Sequence, residues 1–337
     1  MAVNLHNPAQ YYNSILSSKQ KPVYKAILNG VRKFEQDIKL PSTPVPVVSM
    51  IWNYVLLDNP LIFYVSAYKY FSAGYLLSLR KKVKAIRPVY NMNKQAARQN
   101  FNKITEYMRQ FDSLVNKSEF EKELAIHDHC LANFKYDFSC GSNSQSILGP
   151  ILHKTAVCAG IAKFAKLAFD YVGIKSLVVS GKAKNPVQGM NENHVWNIVK
   201  ISGKIYHLDV TFDLSLTDKL YRYDYFNISD DDIKKDHIIL SHVPACDTDG
   251  IKYFPLRFLF ANNLDEFENQ ISDCLKKGQN TVIIKLGLIY NGMNIENVIM
   301  EIARRQYAGI YKQSFEIKMR SNMSQMVFEI HFIPGGS

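Results

Sequence analysis

No CxxC pair occurs anywhere in these 337 residues, and the five cysteines, Cys130, Cys140, Cys158, Cys246 and Cys274, are odd in number and irregularly spaced. That pattern excludes a zinc knuckle, a thioredoxin-type motif and a disulfide framework, so free thiols are expected. Also missing is a long apolar run: the most apolar region, Val45 to Phe71, is broken by Asn53 and by Asp58-Asn59-Pro60, well short of the roughly 18 residues a membrane span requires. The opening stretch, MAVNLHNPAQYYNS, has neither a basic n-region nor an apolar h-region. It predicts a cytoplasmic location for the chain as it stands, and a secreted or envelope-associated one if the chain is part of a longer precursor. No repeat, low-complexity tract or EF-hand-type acidic loop is visible, which weighs against a solenoid and against calcium regulation.

What is present is core material. At 47% hydrophobic and 12% aromatic, the chain can build two or three compact units. The formal charge of +11 suits nucleic acid, an anionic envelope polymer or an acidic partner. Its densest run, Arg80 to Arg87, alternates charged and apolar residues as a solvated edge strand does, and no nucleic-acid motif accompanies it, so nucleic acid is not an expected partner.

The patterning divides the chain into three parts. Residues 1–117 form a mostly helical accessory region, with a short strand pair at Tyr68–Phe71 and Tyr75–Ile86. A long helix follows at Lys94–Val115, its stripe of Ala97, Phe101, Ile104, Met108, Phe111 and Val115 facing a core. In residues 118–245, Ser118 and Glu121 form a capping signature for a helix to Asn133. A Gly/Ser/Asn loop, a second helix from Thr155 to Gly173, and strands near 176–181, 194–201 and 204–211 follow. Residues 250–337 read as a small α+β unit: a strand near Ile251, helices at Asn263–Lys277 and Ile295–Ala308, and strands at Thr281–Leu286, Ser314–Met319 and Gln325–Ile333.

The second helix begins TAVCAGIAKFAKLAFDYVG. With Thr155 as N-cap, Cys158 is the third helical residue, within the turn whose unpaired N–H groups favour an anion. A thiolate there is a nucleophile in need of a base. GMNENHVWNIVK offers His194 at the start of an alternating strand, and KIYHLDVTFD offers Asp209 on the next, the two joined by a hairpin signal at ISGK. Across a two-residue loop, paired positions sum to an odd number, so His194 and Asp209 share a face. With Ser202-Gly203 as the loop, His194 stands opposite Thr211 and diagonal to Asp209, roughly 7 Å away at the Cβ atoms. A three-residue loop would reverse the parity and separate them. An imidazole held by a carboxylate on one nitrogen leaves the other for a thiol.

Two local alternatives compete. His127, His129 and Cys130 resemble a metal cluster, but residues two apart on a helix diverge, so a helix face partly in the core is expected and no metal. His207 lies on the same strand face as Asp209 and could act as base, although no second carboxylate stands across the hairpin to orient it.

The blocks TAVCAGIAKFAKLAFDYVGIKSLVVSG and NHVWNIVKISGKIYHLDVTFD together resemble the transglutaminase-like superfamily, in its bacterial branch. Cys158, His194 and Asp209 occupy the positions of that family's catalytic Cys, His and Asp; Trp196 and Asp213 match their neighbours. AIHDHCLANFKYD upstream and YFNISDDDIKKDH downstream extend the likeness over roughly residues 118 to 240, with DNPLIFY and RPVY weaker echoes. Departures are His129 where Tyr is common, Asn193 before the His and Ala159 after the Cys. The resemblance implies an α+β, papain-like core, in which a Cys-bearing helix packs on an antiparallel sheet carrying His and Asp. It further implies cofactor-free acyl transfer on peptide or amide bonds through a thioester, hydrolytic rather than cross-linking. An amine-accepting transglutaminase and a non-catalytic interaction module on the same fold are the alternatives. The substrate would be a protein or peptide, a cell-envelope polymer among the candidates. The oxyanion would be held by the Cys158 N–H and a donor from the preceding loop, Gln145 first, with Ser144 and Tyr136 as alternatives.

Overall fold

The computed structural model describes residues 10–70, 82–184, 191–246, 259–287 and 294–335. Helices α1 (Tyr11–Ile15), α2 (Lys21–Lys33) and α3 (Val45–Asp58) come first. Both α2 and α3 carry proline in the first turn, where the missing N–H has no helical partner to lose. Buried Asp58 ties the three together, accepting from the backbone N–H groups of Tyr12 (3.1 Å) and Asn13 (3.0 Å) and from the Tyr24 hydroxyl (2.9 Å).

This region is less helical than the sequence suggests. Strands β1 (Ile38–Pro44), β2 (Val65–Tyr70) and β3 (Lys82–Tyr90) form an antiparallel sheet in the order β1-β3-β2. The basic run therefore contributes a central strand and not an edge: Val83 and Ile86 are buried while Lys82, Lys84 and Arg87 are exposed. Residues 71–81, part of the expected strand pair, lie outside the described residues. Helix α4 (Lys94–Met108) continues into a 3-10 turn at Arg109–Leu114, burying Ala97, Ile104, Met108 and Phe111 as the stripe predicts. Helix α5 (Glu119–Asn133) opens with the reciprocal Ser118–Glu121 capping box.

The centre is a five-stranded antiparallel sheet whose strands lie in the order His237–Ile239, Lys175–Lys184, Asn191–Ile201, Lys204–Leu208 and Phe226–Ile228. After the short strands β4 (Lys135–Tyr136) and β5 (Thr155–Ala156) comes α6 (Cys158–Val172), closed by Gly173 at φ 85°. The sheet and its attached helices follow as β6 (Lys175–Lys184), β7 (Asn191–Ile201), β8 (Lys204–Leu208), α7 (Val210–Leu216), β9 (Phe226–Ile228), α8 (Asp230–Ile233) and β10 (His237–Ile239). Period-2 alternation puts Val199 and Ile201 of β7 into the main core with α6, and Trp196 and Ile198 into a second cluster on the opposite face with Phe212 and Tyr225.

The tail supplies β11 (Leu259–Ala261), α9 (Leu264–Lys276), β12 (Thr281–Leu286), α10 (Ile295–Ile310), β13 (Phe315–Asn322) and β14 (Val327–Pro334), in a sheet ordered β11-β12-β14-β13. The residues around Ile251 lie outside the described ones. This unit has its own apolar cluster, yet Ile283 and Val327 belong to the main core. Arg222, between α7 and β9, binds Asp224 through two nitrogens (3.0 and 2.7 Å) and Glu329 of β14 (2.9 Å), all three buried. Among the described residues no helix is long and apolar enough to cross a membrane.

Candidate active site

Cys158 sits at the head of α6, but not as Thr155 capping would place it. The N-cap is Val157, so Cys158 is the first helical residue and not the third. The reason lies in the preceding loop. Thr155 and Ala156 are spent on a parallel ladder with Lys135 and Tyr136, and the Val157 N–H is taken by the carbonyl of Ser144 (3.1 Å). Gly160 permits that fit: a Cβ there would stand 2.3 Å from the Ser144 oxygen and 2.8 Å from the Ala156 Cβ. The helix's first N–H groups, that of Cys158 among them, have no intrahelical acceptor.

His194 and Asp209 meet, by a route the parity argument only half anticipates. Ile201 pairs with Lys204, so the hairpin loop is Ser202-Gly203, with both residues at positive φ. However, β8 stops at Leu208, and Asp209 is the N-cap of α7 rather than a strand residue opposite β7. Its Oδ1 accepts from the N–H groups of Thr211 (3.0 Å) and Phe212 (3.1 Å), while its Oδ2 lies 2.6 Å from Nε2 of His194. The remaining nitrogen of His194 is left for Cys158, whose sulfur favours the protonated ring as an acceptor and as an anion. Cys158 is 9% exposed, His194 7% and Asp209 0%. Burial alone would strip the proton from His194, but the Asp209 charge and hydrogen bond, with Cys158 adding to them, raise its pKa to about 10. For Asp209 burial works against the charge too, and His194 outweighs it, holding the carboxyl well below the usual range.

Trp196 lies two residues along β7, its ring stacked on His194 at 5.9 Å and 15°. Space for the indole comes from Gly181, opposite His194 on β6: a Cβ there would stand 2.7 Å from Trp196 Cη2 and 2.2 Å from the Ile238 carbonyl oxygen. Gly181→Ala should therefore destabilise the fold by about 1–3 kcal/mol, through overpacking against backbone that cannot yield. A urea melt checks this, and a native midpoint would mean that the sheet relaxes around the methyl.

Beside His194 opens a cleft of about 570 Å³, floored by Leu131, Phe134, Tyr136, Phe212 and Leu214, with Glu192, Asn193 and Asp218 among its polar lining. Phe138 stands at it largely exposed. Tyr136 is half-buried near the thiol, its pKa raised to about 12 by burial and then by Cys158. Gln145 has an exposed side chain, and its carbonyl accepts from Lys163 Nζ (3.1 Å). Ser144 is buried and its hydroxyl bonds the Gly141 carbonyl (2.8 Å), so it serves the loop itself. Cys140, in the same loop, is exposed, whereas the other four cysteines are buried; none is in a disulfide.

The remaining candidates go elsewhere. Asp213 is not at the thiol: it is buried one turn into α7, joined to His127 Nε2 (3.1 Å) and to the Tyr225 N–H (3.0 Å), so it fixes α5 to α7. Burial leads in pushing its pKa up to about 7. His127, His129 and Cys130 diverge, His129 turning to the Tyr107 hydroxyl (3.0 Å). His207 does have a carboxylate, from α8 and not across the hairpin. Its Nε2 meets Asp230 (2.9 Å), while its Nδ1 accepts from the Trp196 indole (3.0 Å), and burial lowers its pKa to about 4. It is a neutral buried prop under Trp196 and is not directed at Cys158.

Among the described residues, two groups of side chains bring metal-ligand atoms within 4.8 Å of one another, His207–Asp230–Cys246 and His194–Asp209–His237. In the first, the Trp196 donor leaves the proton on His207 Nε2, the reverse of a ligating histidine, which donates from its far nitrogen. In the second, 2.6 Å between Nε2 and Oδ2 is a direct hydrogen bond, shorter than the roughly 3 Å between neighbouring donors on one ion. His237 escaped the sequence reading altogether. Only the DH closing YFNISDDDIKKDH signals it.

Residues 106–210 match the model of the transglutaminase-like superfamily, a span that contains Cys158, His194 and Asp209. A search of curated proteins found no match. Three solved structures are similar in part. The first is a TGase (18% identity, TM-score 0.31, over 40% of this chain and 37% of that one). The second is a candidate cysteine protease from Cytophaga hutchinsonii (16%, 0.26, over 39% and 51%). The third is a candidate protease from Parabacteroides distasonis ATCC 8503 (11%, 0.29, over 80% and 62%). The chain thus spans less than two thirds of each. Its own arrangement is α+β and papain-like: a Cys-bearing helix against an antiparallel sheet bearing the histidine.

Proposed function

We propose that this chain, transglutaminase-like over residues 106–210, is a cysteine-dependent acyl-transfer enzyme that hydrolyses peptide or amide bonds. The observation that carries this reading is His194 held by Asp209 through Nε2 at 2.6 Å, with Cys158 acting on the same ring. Sγ of Cys158 bonds to the carbonyl carbon, His194 gives its proton to the departing nitrogen, and the C–N bond breaks to leave a thioester. Water, deprotonated by His194, then releases the acid and restores the thiol. The oxyanion is met by the Cys158 N–H at the head of α6, with a donor from the Gln145 loop or Tyr136 as the second. The apolar floor of the cleft favours a peptide with bulky apolar side chains, and the +11 charge favours an anionic carrier such as an envelope polymer.

A second reading has an amine in place of water as acceptor. Glu192 and Asp218 among the residues lining the cleft favour it, since carboxylates in the cleft that holds His194 attract a lysine-like substrate, Glu192 above all because Asp218 also faces Arg320 at 3.8 Å. The first test is alkylation of Cys158 at neutral pH, followed by mass spectrometry. His194→Ala should slow it by about a hundredfold or more, and equal rates would sink the enzyme reading in favour of a binding module. Incubating peptides with and without a fluorescent primary amine then separates the acceptors, by a gain of water or of amine in the product.

A further inference from the structure

Asp209 accepts four hydrogen bonds. Two go from backbone N–H groups to Oδ1, and two from imidazoles to Oδ2: His194 at 2.6 Å and His237 at 3.1 Å. A carboxylate offers about four lone-pair sites, so this one is saturated and has no freedom to turn. The fourth donor comes from outside the Cys158–His194–Asp209 line and is itself held from behind. Nδ1 of His237 lies 2.6 Å from Oδ1 of Asp236, whose Oδ2 accepts from the Tyr225 hydroxyl at 2.6 Å. Strand β10 fixes the backbone, His237 pairing with Ala183 of β6 and the Asp236 carbonyl accepting from the Lys184 N–H (2.8 Å). The ring is packed by Phe212 (4.6 Å) and Trp196 (5.0 Å), and lies edge-on to His194 at 5.4 Å.

An imidazole with a carboxylate oxygen on each nitrogen donates at both only as the imidazolium. We propose that His237 is a positioning residue for acyl transfer: a buried imidazolium strut between Asp209 and Asp236 that fixes the Asp209 rotamer and moderates its hold on the His194 proton. This rests on the reading of Cys158, His194 and Asp209 as the reacting centre. The groups facing His237 are His194 on β7, His207 on β8, Asp209 at the head of α7, Tyr225 before β9 and Asp236 beside it. Burial disfavours its charge, but the two carboxylates outweigh it and keep the ring protonated above its ordinary range. A carboxylate shared with a second cation draws less strongly on the first. His237 therefore keeps Asp209 anionic and in place while weakening its hold on the His194 proton.

The test follows His194 by imidazole NMR and Cys158 by alkylation, in native protein, His237→Gln, His237→Ala and His237→Phe, each checked by circular dichroism for native fold. Glutamine returns a donor to Asp209 without the charge. Its alkylation rate at neutral pH should stay within about threefold of native, and the His194 midpoint should rise. Alanine, and phenylalanine which restores the packing alone, should lose on the order of tenfold to a hundredfold. Native rates and a native His194 midpoint in His237→Phe would overturn the proposal, as would a His237→Gln protein that is as slow as His237→Ala with its midpoint unmoved. If Cys158 proves unreactive in the native protein, the enzyme reading fails by itself, while the His194 midpoints still decide what His237 does to Asp209.

Discussion

Asp209→Asn should lower the acyl-transfer rate by about three to four orders of magnitude while leaving the fold in place. The asparagine carbonyl can still cap α7 at Thr211 and Phe212, so the helix keeps its start. Its amide would then face Nε2 of His194 where a carboxylate oxygen stands now. That nitrogen would have to accept, the ring proton would move to the nitrogen facing Cys158, and the base would be lost. The pH dependence has a definite sign. His194 is held at about 10 because Asp209 outweighs burial, so in native protein the rate should fall as pH rises through about 10, and in the variant that limb should move to lower pH. The same linkage governs stability. The pair's contribution is complete below the ordinary imidazole value of about 6.5 and is lost as pH rises through about 10. On the Asp209 side it is present above about pH 4 and lost on further acidification. The gap in melting temperature between native and Asp209→Asn should thus be widest between about pH 4 and 6.5 and narrow towards pH 10. A flat gap would mean that Asp209 acts as a cap and nothing more.

The largest expected effect on stability lies away from the thiol. Arg222 is buried with two carboxylates on it, Asp224 in a two-pronged contact and Glu329 from the tail, and Asp224 also accepts from Asn322 (2.9 Å). Arg222→Met removes the buried charge that joins Asp224 to Glu329, Glu329 keeping Arg320 at 3.7 Å, at a cost of about 3–5 kcal/mol. Denaturant unfolding reads it directly. Combining the change with Glu329→Gln should recover part of the loss, because one of the stranded charges is gone; strict additivity would mean that the three side chains are not coupled. The same contact makes the tail a wall of the body. It is a buried ion pair that no periodicity in the sequence reveals.

The three side chains of the proposed centre were legible because each is flagged by a different kind of signal: a cysteine opening an apolar helix, a histidine opening an alternating strand, and a carboxylate beyond a two-residue hairpin. What was not legible came from tertiary competition. Thr155 has the chemistry of an N-cap, but the backbone of β5 is needed for the ladder with β4, and a loop carbonyl, that of Ser144, takes the N–H that follows. Asp209 reads as a strand residue because Val210 and Phe212 alternate with Thr211, yet its carboxylate satisfies the first turn of α7 and ends the strand there. The N-terminal sheet was hidden because β1 is short, half exposed and carries two prolines, so its identity depends wholly on β3 beside it. His237 lies 28 positions beyond Asp209, and nothing local says that the chain returns to the same carboxylate.

Cys140 gives the molecule an internal standard. It is an exposed thiol with left-handed backbone (φ 51°) in the loop that leads to Cys158, while Cys130, Cys246 and Cys274 are buried. A single alkylation run therefore reports two sites in one spectrum, a solvent-facing thiol and one sealed against an imidazole. A change of reagent or ionic strength acts on both rates, and loss of the fold announces itself because Cys130, Cys246 and Cys274 become reactive too. A ratio of Cys158 to Cys140 that moves while those three stay unreactive reports the chemistry around His194, so the chain carries its own control.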